Sequence, residues 1–293
     1  MKTQPAPIEV PAIRAALPVL RRPRLPFSPW HLLLVPLALV FAAPLVWLLL
    51  SSVMSNAEIN RFPPALWPSR VDFSGYRYVL ENALFLRWIG NSLIVSAVTV
   101  VSNLLFGALG GYAFARMRFA GSRALLALMV ATMAIPFQLT MIPTFLVMKK
   151  LGLIDSLGAL IVPSLVTPFA VFLLRQFFLS LPRDLDNAAR IDGASELRVF
   201  LQIVLPNARP ALLTLGLFTF VNNWNDLLWP LIFTTDRDMG TLTSGLTLLT
   251  GPGGIIPYGV MMAGSLVAIL PLIVAFVLVQ RKFIASMATA GLK

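Results

Sequence analysis

The chain is 293 residues long, 58% hydrophobic and only 12% charged, with a formal net charge of +11 and no cysteine. About a quarter of the residues of an ordinary soluble domain are charged, so composition excludes a soluble protein, and the lack of cysteine excludes disulfides, thiol nucleophiles and cysteine-held metals. The positive charge does not point to nucleic acid: the 23 lysines and arginines fall between hydrophobic runs and form no stripe of the kind that tracks phosphates.

Residues 1–29 hold seven prolines and are expected to form a mostly disordered tail. A helix that crosses a bilayer needs about 20 largely apolar residues. Six runs qualify, at 31–50, 88–112, 124–148, 157–174, 211–233 and 258–279, and predict an all-α integral membrane protein over 30–293. The first run follows Arg21, Arg22 and Arg24, but it is long for a signal peptide and no small-x-small cleavage site follows. His31, the single histidine, stands beside Trp30 at the mouth of that run and reads as an interfacial anchor. The segment 52–87, with Trp67, Tyr76 and Tyr78, is expected to form short interfacial helices. In the second run Ser92, Ser96, Thr99 and Asn103 share a stripe that continues into Gly107, Gly110 and Gly111. Small and polar residues let helices approach closely, so this stripe reads as a packing seam. The third run carries Pro136 and Pro143 and is expected to kink. The fourth, with Pro163 and Pro168, is the weakest.

Between the fourth and fifth runs lies a polar, helix-forming segment, 183–206. Leu185, Ala188, Ala189 and Asp192 share one helical face, and Gly193 is suited to end that helix. Leu197, Phe200, Leu201, Val204 and Leu205 then recur at the spacing of a second helix's buried face, which Pro206 is expected to stop. The spacing predicts two short helices meeting at Asp192-Gly193, with Asp192 placed to cap amides at the turn. Periodicity leaves two readings open: a handle for a soluble partner, or an amphipathic helix lying on the bilayer.

In the fifth run Asn222, Asn225, Asp226 and Trp229 fall at i, i+3, i+4 and i+7, with Phe218 one turn before. Such a face offers amides and a carboxylate to sugar hydroxyls and aromatic planes to sugar rings. Hydrogen bonding between helices in the bundle core uses the same residue types, and that reading stays open here. Asp226 is the only acidic residue placed within a run; a proton relay through it needs further ionisable groups, and none accompanies it. Gly264 and Ala268 in the sixth run read as another packing seam.

Basic residues set membrane orientation. The N-terminal tail holds five, 113–124 three, 175–210 five and the C-terminal tail three, against four, two and one in the alternate loops. Both termini and the 183–206 segment are therefore expected on the cytoplasmic side.

The stretch Asn187-Ala-Ala-Arg-Ile-Asp-Gly-Ala, running on to Pro206, resembles the "EAA" coupling loop of ABC importer permeases. Phe218-Thr-Phe-Val-Asn-Asn-Trp-Asn-Asp-Leu-Leu-Trp-Pro230 resembles the fifth-span signature of the maltose-type (MalG-like) carbohydrate permeases. Phe114-Ala-Arg-Met-Arg-Phe-Ala-Gly-Ser-Arg123, Met148-Lys-Lys-Leu-Gly-Leu-Ile-Asp155, Gln280-Arg-Lys-Phe283 and Thr289-Ala-Gly291 are similar to that family as well. The resemblance implies a type I importer permease fold with six spans and a cytoplasmic coupling loop. It implies that Asn187, Ala188, Ala189, Asp192, Gly193 and Ala194, with Phe200 and Pro206 behind them, couple the spans to an ATPase subunit. It makes Phe218, Asn222, Asn225, Asp226 and Trp229 candidates for the substrate pathway. The implied partners are a second permease subunit, two cytoplasmic ATP-binding subunits and an extracytoplasmic sugar-binding protein. One departure stands out: Asn187 occupies the position where the motif usually has Glu, with Asp186 beside it as the candidate replacement.

The five lysines, Lys2, Lys149, Lys150, Lys282 and Lys293, include none in a phosphate-cradling G-x-x-x-x-G-K-[ST] arrangement. ATP hydrolysis is therefore expected in a separate chain. With no metal-ligand cluster and no G-x-S-x-G nucleophile motif, no catalytic residue, metal or cofactor is expected. The alternatives are a permease for another solute, such as a polyamine or phosphate, and a structural subunit without substrate contact.

Overall fold

A computed structural model of the chain describes residues 28, 30–63, 65–249 and 257–290, with backbone alone over 281–290. The tail expected at 1–29 lies outside the described residues apart from Ser28, and the motif side chains of 281–283 and 289–291 lie outside them too. The described residues are helical, with no strand among them. They fall into two units that divide between Leu45 and Val46. Helix α1 (His31–Ser51) begins in the first unit and ends in the second. It keeps Pro36 and Pro44 in its interior, as membrane helices tolerate.

The connection 52–87 does contain short helices, α2 (Asn56–Ile59) and α3 (Ser74–Glu81). Ser55 caps α2 in a reciprocal box with Glu58, whose carboxylate also accepts from the Ser69 amide at 2.9 Å and from the Ser69 hydroxyl. These bonds, those from Ser69 first, draw the Glu58 carboxyl down from the ordinary 4.5 to about 2. Asn82 then caps α4 (Ala83–Arg116) by accepting from the Leu84 and Phe85 amides at 3.0 and 3.2 Å.

Helix α4 has 34 residues, about 50 Å of rod, and its small residues form the expected seam. A Cβ on Gly107 would lie 2.9 Å from the Ala170 Cβ, and one on Gly111 2.9 Å from the Arg175 amide nitrogen, so only glycine permits this approach. Ser92 does different work, accepting from the Leu242 amide at 2.8 Å.

The third run is broken rather than gently kinked, forming α5 (Ser122–Thr132) and α6 (Phe137–Lys150), bent by 103°. The amides of Met133, Ala134 and Ile135 bond three residues back, tightening the end of α5. Pro136 has no amide to continue the helix and forces Ile135 out of helical geometry. Pro143 lies inside α6 and breaks nothing.

The fourth run is α7 (Leu157–Ile161), a 3-10 turn at Val162–Ser164, and α8 (Pro168–Ser180), which Thr167 caps. As Leu157–Ser180 it is long and apolar enough to cross a membrane, so it is stronger than its sequence suggests. The segment 183–206 forms α9 (Asp184–Ile191), α10 (Glu196–Val199) and a π turn at Phe200–Val204, and runs on into α11 (Leu205–Asn207). Pro206 does not stop this helix. The π turn opens the backbone just upstream, where the proline ring would otherwise collide. The chain turns instead at Ala208, by 75°, into α12 (Arg209–Trp224).

The fifth run is also broken: α12 ends at Trp224, and α13 (Leu228–Phe233) follows after Asn225, Asp226 and Leu227. Its polar side chains bond to backbone. Asn223 Nδ2 donates to Thr219 O at 2.8 Å, and Asp226 Oδ1 accepts from the Trp229 amide at 3.3 Å. The chain then crosses the end of α4, where Trp88 Nε1 donates to Arg237 O at 2.7 Å and Asn91 Nδ2 to Asp238 O and Gly240 O at 2.8 Å. It continues into α14 (Leu242–Thr247) and α15 (Tyr258–Ala290), which outruns the expected 258–279. Gly264 packs on Leu246 and Phe85, and Ala268 O accepts from Trp224 Nε1 at 2.9 Å, so this seam holds. Four described helices can each cross a membrane, or up to six spans if each of the two bent pairs counts as one.

Candidate functional site: an elbow and a cleft on one helix

The elbow follows from local sequence. Helix α9 ends with the Ala194 amide bonding to Ala189 O at 2.9 Å and the Gly193 amide to Arg190 O at 3.1 Å. This double closure puts Gly193 at φ +81°, a left-handed conformation that glycine adopts without penalty. Ser195 then caps α10, accepting from the Arg198 amide. The Asp192 carboxylate caps nothing, contrary to expectation, because backbone groups alone close the turn.

Asn187, Ala188, Asp192 and Gly193 are exposed at this corner, and Ala189 and Ala194 are half-buried. Phe200 is buried, its ring 5.0 Å from that of Tyr112, and Pro206 is half-buried behind it. Leu197 and Leu201 do not join the buried face. They are 63% and 49% exposed, and the buried stripe is Val199, Phe200, Val204 and Ala208.

Two ties fasten the elbow to α4. Arg190 donates to both oxygens of Glu196, Nε to Oε1 at 2.8 Å and Nη2 to Oε2 at 3.1 Å, bridging the two elbow helices. Tyr112 of α4 donates to the same Glu196 Oε2 at 2.8 Å. One turn further, Arg116 Nε lies 3.0 Å from Asp186 Oδ2, with both side chains almost fully buried. Arg116 Nη2 also donates to Leu181 O at 2.9 Å. Asp186 therefore points inward and does not replace the outward charge missing at Asn187. Neither Tyr112 nor Arg116 stood out in the sequence, where a basic residue at the end of a span reads as an orientation charge.

Toward its middle, α4 borders a cleft with two compartments. The first, about 270 Å³, lies between Thr99 of α4, Ser164 and Thr167 at the break before α8, and Phe218, Asn222 and Asp226. The second, about 570 Å³, shares Ser164, Asn222 and Asp226 and adds Phe137, Thr140, Thr144 and Trp229. Phe169 and Phe218 pair edge-on at 6.5 Å along the first, and Phe137 and Trp229 pair at 6.4 Å along the second. Four of the five candidate pathway residues, Phe218, Asn222, Asp226 and Trp229, line the cleft; Asn225 is exposed and lines neither compartment. The break at 225–227 ends the helical face that would have carried it. The hydroxyls of Thr99, Ser164, Thr167, Thr140 and Thr144 come from other helices, beyond the reach of any single-segment pattern.

The wall is held by Asn103, which is fully buried. Its Nδ2 donates to Thr99 O at 3.0 Å and Ser164 O at 2.7 Å, and its Oδ1 accepts from the Thr167 amide at 2.9 Å and hydroxyl at 2.8 Å. Trp229 is pinned as well, its Nε1 donating to Ala159 O at 3.1 Å. The Thr99 hydroxyl is buried in the wall without a partner. No group of acidic, histidine or cysteine side chains able to hold a metal occurs among the described residues.

The model of the family described as binding-protein-dependent transport system inner membrane component matches residues 103–288. The arabinooligosaccharides transport system permease protein AraQ of Halalkalibacterium halodurans is 38% identical over 260 residues, 88% of this chain and 93% of its own. The diacetylchitobiose uptake system permease protein NgcG of Streptomyces coelicolor is 33% identical over 259 residues, 87% of this chain and 85% of its own. Among solved structures, a chain of a bacterial ABC transporter involved in the import of the acidic polysaccharide alginate superposes with a TM-score of 0.76 at 26% identity, over 88% of this chain and 99% of that one. The family match contains the whole elbow and every cleft residue except Thr99.

Proposed function

The chain belongs to the binding-protein-dependent transport system inner membrane component family, and from that membership we propose that it is one permease subunit of an ATP-driven sugar importer. It pairs with a second permease to form the translocation path. Two cytoplasmic ATP-binding subunits grip the pair at the elbows, and an extracytoplasmic binding protein delivers the sugar. ATP-driven closure moves the elbow and switches the side to which the path opens. The chain itself carries out no chemistry.

One observation carries this reading: elbow and cleft share a single rod. Tyr112 and Arg116 take the elbow's two ties, and Thr99 and Asn103 form the cleft wall on the same helix. The two ends stand about 25 Å apart along the axis. A push at the elbow thus reaches the cleft through one continuous hydrogen-bonded helix. The hydroxyls, amides and paired rings favour a saccharide, in line with the cargo named for AraQ and NgcG. No lysine or arginine lines either compartment to hold a phosphate.

Gly193→Val tests the elbow. At φ +81° a β-branched residue costs roughly 1–2 kcal/mol, enough to reshape the corner without unfolding the spans. In proteoliposomes holding the complete importer, ATP hydrolysis should continue while uptake falls at least about tenfold. Uptake at the unaltered rate removes the elbow from the mechanism. The sixteen-to-seven bias of basic residues supports a cytoplasmic position for both termini. A C-terminal reporter should be active only inside the cell, and activity outside reverses the topology.

A further inference from the structure

We propose that Asp226 makes this half of the path selective for neutral saccharides over anionic ones, an inference that rests on the saccharide reading of the cleft. Asp226 borders both compartments, so a ring in either one meets it. Its Oδ1 accepts from the Trp229 amide at 3.3 Å and fixes the group at the start of α13. The rest of the lining is hydroxyl, amide, aromatic and aliphatic, with no lysine, arginine or histidine. An anionic solute entering here meets a like charge and no counter-charge.

Like charges repel more strongly beside a half-buried carboxylate such as Asp226 than in bulk water. A neutral sugar gains instead, because a hydroxyl donating to a carboxylate makes a stronger bond than one donating to an amide. The fold itself does not dictate this preference: the solved neighbour belongs to an importer of an acidic polysaccharide.

The experiment uses the complete importer in nanodiscs without its binding protein, so that only the membrane path selects. Calorimetry compares neutral probes (arabinotriose, diacetylchitobiose and mannotriose) with trimannuronate, which is mannotriose bearing carboxylates. The wild type should bind mannotriose at least about tenfold more tightly than trimannuronate. Asp226→Asn keeps an oxygen for the Trp229 amide, since Asn and Asp cap equally well. It should weaken mannotriose binding and strengthen trimannuronate binding, two opposite changes that a merely structural defect does not produce. Asn222→Asp adds a second carboxylate to the same shared wall and should widen the wild-type gap, which keeps the test open if the first variant fails to fold. Equal binding of the two trisaccharides by the wild type, or a ratio unmoved in both variants, overturns the charge selection alone. Failure of the wild type to bind any neutral probe overturns the saccharide reading beneath it.

Discussion

Asp186→Ala should be among the most destabilising single substitutions in the chain, at about 3–5 kcal/mol, because it leaves the Arg116 guanidinium buried without its counter-charge. The Arg116 and Asp186 side chains are 2% and 3% exposed, so water cannot readily take the place of the lost carboxylate. Thermal unfolding of the purified importer in detergent should show this subunit melting first. Function should fail in a particular way. If the elbow is the proposed ATPase handle, then with one tie to α4 gone it should still present Asn187, Ala188 and Gly193, so hydrolysis should continue while less of the motion reaches the cleft. The double variant Arg116→Met/Asp186→Leu fills the same space without charge and should recover most of the lost stability. If the single variant loses less than about 1 kcal/mol, the pair does not fasten the elbow.

How much of this the sequence shows depends on whether one segment or several decide the outcome. The stripe from Ser92 to Gly111 is written within one helix, and its packing against Ala170 and Arg175 follows from side-chain size alone. The turn at Gly193 is equally local, fixed by one glycine and two backbone hydrogen bonds. The prolines are harder. Pro136 divides the third run and Pro143 does not, although both interrupt the same apolar stretch. The difference lies in the tightened turn before Pro136, which no residue count reveals. The π turn at Phe200–Val204 departs from the 3.6 residues per turn that the periodicity argument assumes. Phe200 and Val204 are buried as the spacing predicts and Leu205 is half-buried, while Leu197, just before the π turn, and Leu201 stay outside.

Charge direction was hidden for a related reason. Asp186 and Asn187 are neighbours on one helix and so point about 100° apart. Only the position of Arg116, on a helix distant in sequence, decides that Asp186 faces inward. The fifth run brought most of its expected residues together, but without the expected continuity. Phe218, Asn222, Asp226 and Trp229 do meet around one space, although the helix that was to align them ends at Trp224. The facing hydroxyls come from α4, α6 and the break before α8, and only the packed bundle brings them together.

Asn103→Leu should be the most damaging substitution in the cleft wall. Leucine has asparagine's branched outline but is bulkier, so the space stays filled, with some crowding, while four hydrogen bonds vanish. Thr99 O keeps its bond from the Ser102 hydroxyl at 3.0 Å, but the Ser164 carbonyl and Thr167 amide lose the side chain that joins them to α4. Each orphaned buried group costs about 1–3 kcal/mol. Ser164 and Thr167 are half-buried beside the cleft, where water recovers part of that, so a total of about 2–4 kcal/mol is expected. The functional effect should exceed the loss of stability. Ser164 and Thr167 shape the first compartment, and without Asn103 the break before α8 no longer follows α4 when the elbow moves. Saccharide binding by the complete importer should weaken at least about tenfold, with hydrolysis retained. Ser102→Ala is the matched comparison on the same turn. Its hydroxyl donates only to Thr99 O, which Asn103 also serves, so its loss should change stability by less than about 1 kcal/mol and leave binding intact. If the two variants melt together, Asn103 does not hold the wall, and the transmission from elbow to cleft through α4 loses its last link.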